Sequence, residues 1–238
     1  MKKEKNISQF SQDAKTNQGY LYTTKSSLSS QIANKRLTDV TLDLIKNFRN
    51  KTIIDIGCGD GTYTFELLAK KPKYILGIDP ARGAIKKANK DKKNLKNIDF
   101  KIGNIYYLGR LKKTFDIAVV RGVLHHLYDA KKAAAVLSKI AKVIIVIEPN
   151  GYNPLLKIIE KISPYHKLHE EKSYSPSLLD KWFADNGCRV IKRQYCGLVP
   201  FFCPDILAKI LKKVEPFIES IPLLNRLLCA VYVMKITT

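Results

Sequence analysis

No apolar run in this chain of 238 residues approaches the ~20 that a membrane-spanning helix needs, which argues against a helical membrane span. The opening stretch, MKKEKNISQF, is basic but lacks an apolar h-region, so no signal peptide is expected. The five cysteines (Cys58, Cys188, Cys196, Cys203 and Cys229) are odd in number and show no metal-ligand spacing. That argues against a disulfide framework or a zinc module, and reduced thiols in a cytoplasmic protein are the expectation. No internal repeat is present. Acidic groups are also scarce: 21 Asp and Glu stand against 42 Lys and Arg, a net charge of +21.

The basic excess is spread along the chain and is densest in the middle. Residues 1–50 carry 9 basic and 4 acidic groups, residues 51–150 carry 20 and 9, and residues 151–238 carry 13 and 8. It favours anionic partners such as nucleic acid, phosphorylated metabolites or an anionic membrane surface. Lys heavily outnumbers Arg, the better fork for phosphates and bases, so a lysine-rich proteome explains the balance equally well. The length suffices for one large domain with a sizeable core, or one domain with a cap.

Residues 1–30 are polar, with Phe10, Tyr20 and Tyr22 interspersed, and are expected to form an arm that folds over a ligand. Ile32, Leu37, Val40, Leu44, Ile45 and Phe48 fit one face of a helix over 31–49. Strands and helices then alternate. TIIDIG, YILGID, IDFKIG, FDIAVVRG and KVIIVIE read as buried strands. TYTFELLAKK, RGAIKKANKDKK and DAKKAAAVLSKIA read as helices between them, the last with Asp129 as N-cap. Such strands, with little alternation and separated by helices, predict a parallel sheet covered on both faces. Beyond Pro149 the pattern gives a helix (NPLLKIIEKI), a polar loop, and a helix stopped by Gly187. Two further strands follow, CRVIKRQYCG and CAVYVMKI, separated by about thirty residues, which is long for a connection.

Within TIIDIGCGDGTYTFEL, Asp55 precedes Gly57, Gly59 and Gly61 at the mouth of the first strand. Ligands of open α/β sheets bind at the carboxyl ends of the strands, and glycines let a ligand approach the backbone closely. The dinucleotide fingerprint G-x-G-x-x-G fails here, because its sixth position is Thr62. A nicotinamide oxidoreductase is therefore disfavoured. Asp55 is a poor neighbour for pyrophosphate and a good one for an ammonium or sulfonium group. Asp79 ends the second strand, 18 residues past Gly61, where a carboxylate accepts hydrogen bonds from two ribose hydroxyls. A ribose with a cationic head points to S-adenosylmethionine. The competing explanations are that Asp55 caps a helix and Asp79 starts one.

IIDIGCGDGTYTFEL, ILGIDP, FDIAVVRGVLHHL and VIIVIEPNGYNP resemble the ordered motifs of class I S-adenosylmethionine-dependent methyltransferases, over roughly residues 35–196 with a last strand near the C-terminus. The resemblance implies an α/β, Rossmann-like, doubly wound sheet of seven strands, mostly parallel with the last strand antiparallel. Its domain spans 31–238, with cap inserts at about 150–176 and 198–228. It further implies that the loop of Gly57, Cys58, Gly59 and Gly61 holds the methionine part, that Asp79 holds the ribose and that Pro80 packs on the adenine. The Asp that usually contacts the adenine amine is Asn104 here, followed by Ile105; Asn104 is otherwise a turn residue.

Methyl transfer needs alignment, a dry site and, for some acceptors, a base. Arg121, His125 and His126 leave the fourth strand on the cofactor edge and are candidates for catalysis. Arg121 is placed against the cofactor, a substrate anion or Glu148. Each histidine is a base or, alternatively, a structural residue. The loop SPYHKLHEEKSYSP adds Tyr165, His166 and His169 as catalytic candidates and matches no zinc pattern, so no metal is expected. The expected acceptor is a small molecule, a lipid precursor or a glycan. An RNA acceptor is the alternative, although no RNA-binding module is recognisable; a third reading is a non-catalytic protein that keeps the cofactor site. The apolar 198–228 insert suits a flap over a greasy acceptor, a docking face for an anionic membrane, extra core or a homodimer interface.

Overall fold

In the computed structural model, residues 12, 27–45, 48–111, 114–163 and 171–238 are described. Helix α1 (Leu28–Leu44) is capped by Ser27 and followed by β1 (Thr52–Ile56). Short α2 (Thr62–Glu66) passes into a 3-10 turn over Leu67–Lys70. β2 (Tyr74–Asp79), α3 (Arg82–Asp91) and β3 (Ile98–Ile102) follow. A 3-10 segment over Ile105–Leu111 leads to β4 (Phe115–Arg121), a second over Leu124–His126 leads to α4 (Ala130–Leu137), and β5 (Ala141–Pro149) comes next. The remainder is α5 (Pro154–Ile162), α6 (Pro176–Ala184), β6 (Arg189–Cys196), α7 (Asp205–Ser220), α8 (Pro222–Leu228) and β7 (Val231–Thr237).

The strands form one seven-stranded sheet in the order β3-β2-β1-β4-β5-β7-β6. β1 to β5 pair in parallel, and β7 runs antiparallel to both of its neighbours, β5 and β6. The expected topology is therefore present. The sheet is apolar on both faces because helices cover both. On one face Ala133, Ala134 and Leu137 of α4 pack with Leu179, Trp182 and Phe183 of α6. On the other, Leu37, Val40 and Leu44 of α1 pack with Ile85 and Ala88 of α3. Chain order reverses between β1 and β4, so the carboxyl end of β1 is the topological switch point, where sheets of this kind bind their ligands.

Local chemistry sets the element ends. Asp129 accepts the Lys132 N–H at 2.9 Å and starts α4. Asn153 accepts the N–H groups of Leu155 and Leu156, with Pro154 opening α5. Several expectations shift. The helix read over 62–71 is α-helical only to Glu66, and Lys71 at φ +53° turns the chain into Pro72. The 198–228 insert is two helices, because Pro222 starts a new one after α7 ends at Ser220. α1 begins at Leu28, inside the expected arm; residues 1–11 and 13–26 lie outside the described residues.

Candidate functional site

β1 delivers Asp55 one residue before its end, and the chain leaves through Gly57, Gly59 and Gly61, all at positive φ (+73°, +56° and +83°). The N–H groups of Gly57 and Cys58 both donate to the Ile78 carbonyl, at 2.8 and 3.2 Å, which pins the loop to β2. A Cβ at Gly57 would stand 2.4 Å from Cγ2 of Val123, and one at Gly61 would stand 2.8 Å from the Phe100 ring. At these two positions the close approach is to the protein itself. Cys58 is buried beside Gly77, where a Cβ would meet its sulfur at 3.0 Å, and burial pushes its thiol pKa well up. It is a neutral packing residue at pH 7.

Asp79 faces this loop. Its Oδ2 accepts the Gly59 N–H at 3.0 Å and its Oδ1 accepts the Ala81 N–H at 2.8 Å. Asp55 is buried below the loop and accepts the Thr64 hydroxyl at 2.5 Å. Burial pushes its carboxyl up to about 6, against the hydrogen bond from Thr64 and the charge of Arg121. A buried acid so short of donors suits a cationic neighbour. Pro80 is half-buried and Ile105 is buried. The Asn104 Oδ1 accepts the Tyr106 N–H at 3.1 Å, an Asx turn that opens the 3-10 segment. The glycine cradle, the paired oxygens of Asp79 and the buried acid fit a ribose-bearing cation.

Arg121 departs from expectation. Its guanidinium donates to the Thr38 hydroxyl (2.9 Å) and to the Asn34 backbone and side-chain oxygens (3.2 and 3.1 Å), all on α1. It also lies 3.7 Å over the Tyr63 ring. It therefore clamps α1 to the sheet and does not pair with Glu148.

Glu148 is buried at the end of β5 and gathers the loop after β4 around itself. Its carboxylate accepts the N–H groups of Val123, Leu124 and His125 at 2.9, 2.7 and 3.1 Å. His125 Nδ1 lies 2.8 Å from the same carboxylate, which makes Nδ1 the protonated nitrogen and directs Nε2 elsewhere. Burial pushes the His125 pKa down, but the charge and hydrogen bond of Glu148, with help from Glu171 and Glu160, outweigh it and raise the value. His126 stacks on His125 with ring centroids 3.8 Å apart.

Glu171 joins this pair: His125, His126 and Glu171 bring one ligand atom each to within 4.8 Å of one another. Two imidazoles and a carboxylate are a donor set that could hold a divalent cation. Sequence spacing missed it because Glu171 lies 45 residues beyond His126. Tyr165, His166 and His169 lie outside the described residues. Asn150 and Asn153 leave β5 but are buried scaffold: their amide groups donate to the carbonyls of Arg226, Leu228 and Cys229 before β7.

Residues 47–187 match the family model described as a methyltransferase domain. An uncharacterized methyltransferase of Schizosaccharomyces pombe is 33% identical over 113 residues, which are 42% of this chain and 37% of that protein. A tRNA U34 carboxymethyltransferase of Desulfotalea psychrophila is 29% identical over 84 residues, 34% of this chain and 26% of that protein. These matches thus span about a quarter to two fifths of the relatives' own length. Among solved structures, magnesium protoporphyrin IX methyltransferase from Synechocystis with bound SAH shares the fold. Its TM-score is 0.64 and its identity 14%, with 90% of this chain and 88% of that chain covered.

Proposed function

The chain belongs to the methyltransferase-domain family, and on that premise we propose that it is an S-adenosylmethionine-dependent methyltransferase acting on a small-molecule, lipid-precursor or glycan acceptor. The observation that carries the reading is Asp79, which stands at the end of β2 with both oxygens oriented by backbone amides beside the glycine loop. Asp79 would receive the ribose hydroxyls, the Gly57–Gly61 backbone the methionine part, and Pro80, Asn104 and Ile105 the adenine side. Asp55 would offset the positive charge of the ligand. The bound cofactor supplies an electrophilic methyl group on a sulfonium. The protein's share is alignment, a dry crevice and a base.

His125 is that base in this reading. Glu148 holds it in one tautomer through Nδ1, and three backbone amides hold Glu148. A neutral Nε2 then takes the proton of an acceptor hydroxyl, and the charge formed is compensated by the buried carboxylate. Arg121 positions α1 over the sheet and touches no reacting atom in this scheme.

A second reading, an RNA acceptor, is favoured by the tRNA-modifying relatives and by the exposed basic face of α3 with Lys86 and Lys90. Incubation with methyl-labelled S-adenosylmethionine and a fractionated host lysate separates the two. Label in lipid or small-molecule fractions supports the first, and label in RNA supports the second. No uptake of the cofactor by the protein would overturn both.

A further inference from the structure

α5 carries the sequence PLLKIIEKI, a pattern that ordinarily packs an apolar stripe onto a core. Here none of its residues is buried, and Leu155, Ile158 and Ile162 are exposed, Ile162 by 66%. α8, PLLNRLL, also buries nothing and exposes Leu223, Leu227 and Leu228. α7 buries only Ala208 and Glu215 and exposes Ile206, Leu207, Ile210, Val214 and Phe217. α8 touches both α5 and α7, so the three helices are neighbours. Single exposed apolar residues are ordinary, but this many on adjoining helices mark an interaction surface.

The charges identify the occupant. Two of the three acids of α7 turn inward: Arg36 pairs with Glu215 and Glu219, which also accept the N–H groups of Leu198 and Gly197. Asp205, at the first turn, is the remaining acid. Outward, the apolar residues are interleaved with Lys209 and Lys213, with Lys161 on α5 and Arg226 on α8, while Lys212 reaches back to Glu215 at 2.8 Å. Two copies of such a face would bring cations against cations. An anionic lipid leaflet offers what both components require: hydrocarbon for the apolar side chains and phosphate for the basic ones. Among the described residues no helix is long and apolar enough to cross a membrane, so the attachment is to the surface.

We propose that α5, α7 and α8 form a docking face for an anionic bilayer surface. α5 begins six residues after Glu148, so docking brings the His125–Glu148 edge of the sheet to the leaflet. The inference goes beyond the methyl-transfer reading and does not require it, since vesicle binding is read without cofactor.

The test is co-sedimentation of the full chain with extruded vesicles, either phosphatidylglycerol mixed into phosphatidylcholine or phosphatidylcholine alone, at low and high salt. Anionic vesicles should bind at least tenfold more tightly. Ile158→Ser with Ile162→Ser, Ile210→Ser with Phe217→Ser, and Lys209→Glu with Lys213→Glu should each weaken binding tenfold or more. Melting temperature and S-adenosylmethionine affinity by calorimetry should not move, which keeps a failure here distinct from a failure of the active-site reading. Equal binding to both vesicle types would overturn the proposal. So would serine variants that bind like the parent. A parent dimer by light scattering that the serine changes dissociate, with no vesicle binding, would replace the bilayer by a second copy of the chain.

Discussion

The amide of Gly59 donates to Oδ2 of Asp79 at 3.0 Å, so the middle glycine of the first loop is tied to the last residue of the second strand. The Ala81 amide holds the other oxygen at 2.8 Å. A flexible surface carboxylate would have to be ordered by its ligand. This one is already oriented, and that lowers the cost of binding.

Gly57 tests whether the glycine loop is shaped by the protein or by its ligand. Gly57→Ala places a Cβ 2.4 Å from Val123 at φ +73°. The left-handed backbone alone costs roughly 1–2 kcal/mol, and the contact adds to it. In denaturant titrations Gly57→Ala should be destabilised, and Val123→Ala in the same chain should recover the steric part but not the backbone part. Recovery of nothing would mean that the Val123 contact does not matter.

Asp55 makes a pH prediction. Its carboxyl is raised from 3.8 to about 6 by burial, so between those values the folded protein binds the extra proton. Stability therefore falls as pH rises from about 4 to 6, and Asp55→Asn should flatten that slope in denaturant titrations. A cationic ligand binds the ionised form, so affinity for S-adenosylmethionine should climb with pH and level off above about 6. Calorimetry in buffers of different ionisation enthalpy should show proton release on binding at pH 5.5 and little at pH 8. A flat profile contradicts the pairing of Asp55 with the cationic group.

His125 should titrate above its ordinary 6.5, because the opposing carboxylate outweighs burial. Nitrogen-detected NMR of the imidazoles follows this directly. Glu148→Gln should lower the His125 pKa and fix less of the Nδ1 tautomer. The raised value also means that His125 contributes stability below pH 6.5 which is lost as pH rises through its folded pKa, and Glu148→Gln should remove that dependence. An unchanged pKa in the variant would separate His125 from Glu148.

Much of this molecule is legible in one dimension. The strands are short apolar runs, the helices have caps such as Asp129, and the acids at 55 and 79 sit at strand ends. What was hidden is pairing between distant elements. Arg121, at the end of β4, finds Thr38 and Asn34 more than 80 residues away, and no spacing rule anticipates a partner on a distant helix. Glu148 reads as an acid at the end of a strand; only the folded loop shows three amides and an imidazole converging on it. The glycine pattern was visible, but its steric cause lies in Val123 and Phe100, on other strands and loops.

The most direct measurement is calorimetric titration of the full chain and of Asp79→Ala with S-adenosylmethionine at pH 8. One site per chain is expected, with affinity in the variant lower by about 10- to 100-fold, as follows from removing a charged hydrogen-bonding group worth roughly 1.5–3 kcal/mol. A folded Asp79→Ala protein that binds the cofactor as tightly as the parent would contradict it.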